Sequence, residues 1–344
     1  MNRFITPADD RYHHQIVAPS VIVEHQVPAW AERCYHVLYV GDDLMMNFGR
    51  AIYPYDNRRT ALGCAYVPGA VHAVREAGVF TSGEDPDAGR LGPLAIECLD
   101  PLKTFSLTLD GDRDQFAYDL TFTARGAAVP TDRNIIELKG ELVTDYMNFF
   151  QSGLYSGTVW VEGREYTVKD RAGFRDRGWG IRKHEGAPRR GFVLFAAVEF
   201  AETTLYLLLY EAASGRRAFT NGWLVGVDGI VDTVETIDHD LDVDAAKLVT
   251  GGSIDLGFTS GTTRKLTFDV DNRTFLKAGG YAADLATVPQ GYSKYDLSDA
   301  SVVAWLNGQN DNGCTATLDG EPGHGLIETG IGTHVRYDPE GAAS

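Results

Sequence analysis

The sequence predicts an all-β fold in two domains, and three observations predict it. A length of 344 residues exceeds that of a usual single domain. Strand-like runs follow one another closely, with glycine-rich turns between them. No long segment carries a helical period. Many short strands of this kind bury their apolar faces by forming sandwiches or barrels.

Residues 33–40, 44–53, 61–67 and 71–80 come in quick succession, and Gly41-Asp42-Asp43 makes a hairpin loop between the first two. Residues 103–109 (K-T-F-S-L-T-L) alternate with a period of two, Asp110-Gly111-Asp112-Arg113 turns, and residues 115–123 return. Such alternation means one buried face and one wet face. Residues 131–147 have room for a short helix, and residues 145–153 are irregular and rich in aromatics. Ser156-Gly157-Thr158-Val159-Trp160-Val161 pairs with residues 166–169 across Glu162-Gly163-Arg164 as a hairpin. Residues 191–200 and 204–211 are long apolar strands around a short turn. Runs at 217–227, 230–237, 241–250, 253–259 and 265–270 continue the style, and strands at 301–306, 313–318 and 325–335 close the chain. Lys183-His184-Glu185-Gly186-Ala187-Pro188 reads as a connector, which assigns residues 1–186 to a first domain and 187–344 to a second.

A formal net charge of −17 repels nucleic acid and anionic membranes, so neither is an expected partner. No run approaches the roughly 18 apolar residues of a membrane span. The start Met1-Asn2-Arg3-Phe4-Ile5-Thr6-Pro7 lacks the apolar core of a signal peptide. A soluble cytoplasmic protein is expected. Aromatics at 11% suit β-structure and roomy apolar pockets. Cys34, Cys64, Cys98 and Cys314 form no C-x-x-C and no zinc-spaced cluster, so buried free thiols are expected rather than disulfides. His13 and His14 beside Asp9 and Asp10 superficially suggest a metal site. They are crowded and near the terminus, and no distant partner cluster is evident, so no metal is expected. Nucleophile-elbow, P-loop and dinucleotide-binding patterns are missing.

The densest chemistry lies in Gly173-Phe174-Arg175-Asp176-Arg177-Gly178-Trp179-Gly180-Ile181-Arg182, where three arginines, one aspartate, one tryptophan and three glycines share ten residues. This is either a structural clasp or a site. Together with the hairpin from Gly153-Leu154-Tyr155 to Glu162-Gly163-Arg164, it resembles a signature of the two-domain lipocalin-like superfamily. That group holds bacterial carotenoid 1,2-hydratase (hydroxyneurosporene synthase), AttH-like proteins and related fungal hydratases and cyclases. Their second motif is close to R-D-H/R-S-W-G-x-R, and Gly178 stands here where serine is common. Asp9-Asp10-Arg11-Tyr12-His13-His14-Gln15, Trp30-Ala31-Glu32-Arg33, Tyr53-Pro54-Tyr55-Asp56-Asn57-Arg58 and the tail Gly323-His324-Gly325-Leu326-Ile327-Glu328 are similar to a bacterial branch of the group. The resemblance implies two consecutive lipocalin-like antiparallel β-barrels or half-barrels and an apolar cavity. It also implies neither metal nor organic cofactor, and hydration, cyclisation or isomerisation of a hydrophobic molecule.

Hydrating a carbon–carbon double bond needs a proton delivered to carbon, a π-rich pocket for the cation and a held water. Asp176 is the first choice for the acid. Arg175 and Arg177 adjoin it and would lower its pKa, but neighbours on a strand point to opposite faces, so both can turn away. Tyr155 is a second candidate for proton donation, His184 beside Glu185 could reach a cavity mouth, and Glu97 in an apolar run is the runner-up acid, with Glu211 similarly placed. Arg177, Trp179, Arg182 and His36 are candidate substrate-binding residues. The expected function is a cofactor-independent hydro-lyase or isomerase acting on a hydrophobic or aromatic small molecule. A non-catalytic carrier of a hydrophobic ligand is the alternative, and a structural subunit of a larger assembly is the third reading. A homodimer is compatible with each.

Overall fold

The computed structural model describes residues 5–12, 27–81, 84–138, 140–183, 191–280 and 289–338. It is nearly all β. The first sheet begins with β1 (Trp30–Gly41), β2 (Leu44–Tyr53), β3 (Arg58–Val67) and β4 (Ala70–Val79) as an antiparallel meander. It continues through β5 (Arg90–Leu91), β6 (Leu94–Asp100), β7 (Thr104–Leu109) and β8 (Phe116–Ala124) to the short β9 (Val129–Pro130) and β10 (Asn134–Leu138). Two long strands, β11 (Glu141–Val161) and β12 (Arg164–Arg182), tie these groups together, because β12 pairs with β1 and β11 pairs with β8. Their turn is the expected hairpin. Val161 faces Arg164, and Glu162 and Gly163 both take positive φ (51° and 74°), as a two-residue turn matching the strand twist requires.

The second sheet is a closed barrel. It contains β13 (Gly191–Glu199), β14 (Thr203–Ala212), β15 (Arg217–Gly226), β16 (Gly229–Val243), β17 (Val249–Phe258) and β18 (Thr263–Phe275). The chain then crosses back. β19 (Gly291–Asp296) pairs with β4 at the edge of the first sheet, and after α1 (Ala300–Leu306) the strands β20 (Gln309–Leu318) and β21 (Glu321–Ile331) close the barrel.

Three apolar cores result, and the period of two explains them. Leu38, Leu44, Met46, Phe48, Leu107 and Phe122 fill the curled first sheet, a half-barrel. Phe192, Leu194, Leu205, Leu207 and Ile254 fill the closed barrel. The opposite faces of the same strands, with Val37, Met45, Phe150, Phe174, Phe195 and Leu208, pack the two sheets together. Every residue of β13 is buried, because one face looks into the barrel and the other onto the half-barrel. Its uninterrupted F-V-L-F-A-A-V run is the sequence mark of a strand covered on both sides.

Several expectations are corrected. The described residues of 131–147 hold no helix. Ile135 and Ile136 of β10 pair with Asp145 and Thr144 of β11, and β-branched residues favour that pleated surface. The aromatic stretch 145–153 is regular strand within β11. The expected strand at 301–306 is α1, because Asp299 caps it by accepting from the Ser301 amide at 2.8 Å, and local capping overrides the β-rich V-V-A-W composition. Residues 230–237 and the start of 241–250 form one strand, β16. All four cysteines are free thiols. Among the described residues no helix is long and apolar enough to cross a membrane.

Candidate active site

Alternate residues of β12 lead to different places. In register, Asp176 lies between Tyr35 on β1 and Phe150 on β11, whereas Arg175 lies between His36 and Gln151, and Arg177 between Cys34 and Phe149. The odd residues face the half-barrel interior. Arg175 donates to both carboxylate oxygens of Asp10 (2.6 and 3.1 Å) and twice to Gln151 Oε1, and its guanidinium lies over the Phe105 ring at 4.4 Å. Arg177 donates to Glu32 at 2.7 Å and lies over Tyr12 at 4.4 Å. Both arginines that adjoin Asp176 in sequence therefore direct their charge elsewhere.

The even face looks onto the barrel, and a cavity of about 140 Å³ lies between the two sheets. Arg33, Tyr35, Arg50, Arg75, Asp176 and Arg182 are among the polar residues that line it on the half-barrel side, with Asn148, and Glu328 and Tyr210 reach it from the barrel. Its apolar wall combines Leu62, Leu208 and Leu276 with three aromatic rings, in which Phe195 packs against Phe150 at 4.8 Å and Phe174 at 5.2 Å. Gly178 takes part in this packing, since a Cβ there would meet the Tyr146 ring at 2.6 Å and Tyr146 lines the cavity. Serine at that position would require the ring to move.

Asp176 Oδ1 is buried without a hydrogen-bond partner. Burial pushes the Asp176 carboxyl up to about 6, and the Glu328 charge adds to the rise. Arg182, a hydrogen bond from Asn148 and Arg33 pull the other way and lose. Glu328 stands directly across the strand pair from Asp311 on β20. Asp311 is fully buried and accepts the Tyr35 hydroxyl at 2.5 Å.

Of the residues expected from sequence, Asp176 and Arg182 meet in this cavity. Tyr155 and His36 meet elsewhere, in the half-barrel core, with Tyr155 Oη 3.0 Å from His36 Nδ1 and 3.3 Å from the Phe174 carbonyl. Burial, then the nearby Arg175, holds the His36 imidazole well below its usual range and so neutral. A His36 protonated on Nδ1 donates to Tyr155, which donates on to Phe174, so one tautomer serves the whole chain. Trp179 is on the odd face with Arg177, its ring 6.4 Å from Phe149. Glu97 sits on β6 on the face opposite Leu94 and Ile96, partly exposed, because the core takes its neighbours. Glu211 is held by His239, His334 and Arg217 (3.1, 3.0 and 2.9 Å), outside the cavity lining. His184, Glu185, His13 and His14 lie outside the described residues. Among the described residues no group of three or more His, Cys, Asp or Glu side chains is arranged to hold a metal ion. Sequence reasoning missed Tyr35 and Glu328 as cavity groups, and Asp311 as the buried carboxyl that touches Tyr35 and faces Glu328. One signal existed: Asn310-Asp311-Asn312 reads as a turn, yet all three are buried in β20.

Solved structures share this architecture. An AttH-like protein from Nitrosomonas europaea matches with a TM-score of 0.59 at 12% identity, over 93% of this chain and 99% of its own. Kievitone hydratase from Nectria haematococca matches at 0.50 and 12% identity, over 88% and 89%. CghA matches at 0.51 and 13%, over 88% and 87%. At such identities the likeness is one of fold, and it bears out the expected lipocalin-like pair of a closed barrel and a half-barrel. No curated protein matches the sequence. A family model does match, over residues 5–284, and the chain therefore belongs to that family, described as a family of unknown function, DUF8625.

Proposed function

We propose that the protein is a cofactor-independent enzyme that moves a proton to or from carbon in the cavity between the sheets, as a hydratase or dehydratase of a hydrophobic or aromatic small molecule. In this reading residues 1–186 and 187–344 act as two units with the site at their junction. One observation carries it: a carboxyl group with an unpartnered buried oxygen, Asp176 Oδ1, in a cavity walled by Phe150, Phe174 and Phe195. An acid whose pKa is raised to about 6 is still partly protonated near neutral pH and gives its proton up readily. Protonating an alkene leaves a carbocation, which the faces of the three phenylalanines stabilise. Asn148 and Tyr210 supply hydrogen bonds for water or a substrate hydroxyl. The volume suits one ring, since an apolar cavity of about 150 Å³ takes benzene. The fold shared with kievitone hydratase supports the same chemistry.

The test is mass spectrometry of alkenyl phenols and small monocyclic terpenoids incubated with the protein in D2O, with Asp176→Asn beside the wild type. Deuterium on carbon with wild type alone is expected, the variant being at least about 100-fold slower. Equal labelling by both proteins would remove Asp176 as the acid. Tight retention of an unlabelled compound would make the protein a carrier.

A further inference from the structure

The cavity has a second acid opposite Asp176, and the barrel supplies it. On β21 Glu328 faces Asp311 across one strand pair and Phe195 across the other. Two charged carboxylates placed so repel each other, and burial makes the repulsion strong. The surroundings weigh differently on the two carboxyls. Asp311 is wholly buried behind Glu328, and burial together with the Glu328 charge pushes it well above the carboxylate range. Glu328 is raised by burial too, but Gln309, Arg182 and the hydrogen bond with Asp311 pull it back. Of the two, Asp311 is held the more strongly in its protonated form, and Glu328, which lines the cavity, is the one that gives up its proton more readily. The polar and charged groups facing Glu328 are Asp311 and Gln309 on β20 and Arg182 and Asp176 on β12, while Tyr35 on β1 holds Asp311 from behind.

We propose that Glu328 is a second catalytic residue, the base that takes a proton from water while Asp176 gives one to carbon, and that Asp311 is a positioning residue acting through it. This rests on the proton-transfer reading above. In the hydration direction the Asp176 O–H bond breaks and a C–H bond forms from the alkene π pair. A water lone pair then forms the C–O bond, the water O–H bond breaks, and its proton goes to Glu328. One alkene and one water give one alcohol. The proton returns from Glu328 to Asp176 through cavity water, and the site is reset.

The two proton movements separate experimentally. 4-Vinylphenol, 4-propenylphenol and 4-isopropenylphenol, each with one ring, are incubated in D2O with wild type, Asp176→Asn and Glu328→Gln, and deuteration of recovered alkene is read apart from hydrate formation. Wild type is expected to do both and Asp176→Asn neither. Glu328→Gln is expected to deuterate within a few-fold of wild type while hydrating at least about 100-fold more slowly. Undiminished hydration by Glu328→Gln overturns this assignment and leaves the proton-transfer reading standing. A wild type that neither deuterates nor hydrates any probe overturns both. Asp311 is read by a pH profile. Asp311→Asn keeps a neutral donor beside Glu328 and leaves hydration within a few-fold, whereas Asp311→Leu removes the donor and moves the acid limb of hydration, but not of deuteration, to higher pH. Matching profiles overturn the positioning role. The Asp311 variants also carry the test should Glu328→Gln fail to fold.

Discussion

The two faces of β12 hold the same kinds of side chain in opposite states. On the half-barrel face Arg175 and Arg177 are buried and each ion-paired, Arg175 with Asp10 (and hydrogen-bonded to Gln151) and Arg177 with Glu32, although Arg177 Nε has no hydrogen-bond partner. On the barrel face Asp176 is desolvated with one oxygen unpartnered, and three opposing influences fail to offset the burial. A matched buried pair fixes structure, and breaking it leaves an uncompensated charge. An unmatched carboxyl in a cavity stores free energy that a reaction can use. The difference teaches that the two-residue period of the strand divides the R-D-R motif between a buried clasp on one face and, on the proposed function, a site on the other.

The sharpest way to break this comparison is to remove charge without volume from each face. Asp10→Asn leaves the Arg175 guanidinium buried beside a neutral amide and is expected to lose about 3–5 kcal/mol of stability. Urea unfolding at pH 7 measures it, and a loss below about 1 kcal/mol would mean that the clasp does not hold the N-terminal segment on the half-barrel.

Asp176→Asn should move stability in the other direction. The folded carboxyl titrates near 6, above its ordinary value of 3.8, so the folded state binds that proton more tightly than the unfolded chain. The stabilisation this gives is fully present below 3.8 and is lost as pH rises through 6. Above that, ionised Asp176 costs the folded state up to about 3 kcal/mol. The asparagine variant is therefore expected to be more stable than wild type at pH 8, with the advantage fading as pH falls from 6 to 4. Urea midpoints across that range decide it, and a variant less stable at pH 8 would show that the carboxylate is satisfied after all.

How much of this was legible in the sequence follows from distance along the chain. Alternation in K-T-F-S-L-T-L placed β7, and the Glu162-Gly163 turn placed the central hairpin, because both signals are local. Asp176 and Arg182 could be singled out together because one strand carries both. Glu328 and Asp311 could not, since their meaning depends on a barrel strand packing against β12 from more than a hundred residues away. Asn310-Asp311-Asn312 has the composition of a turn and becomes a buried strand only when the barrel closes. Tyr155 and His36 were legible as polar residues but not as partners, because the half-barrel core brings them together as a hydrogen-bonded pair among apolar side chains.

That pair supplies the smallest and most discriminating prediction. Tyr155→Phe removes a hydroxyl that touches His36 and the Phe174 carbonyl, on the face of the half-barrel turned away from the cavity. His36 Nε2 is already without a partner, so the variant leaves both ring nitrogens unmatched in a buried site. A buried hydrogen bond lost this way is worth about 1 kcal/mol. Stability is expected to fall by that amount, while deuterium transfer to carbon stays within about two-fold of wild type, because the phenol is separated from the Asp176 carboxyl by the strand that carries it. If labelling instead collapses with stability unchanged, the chemistry lies inside the half-barrel, and the roles of the two faces of β12 are reversed.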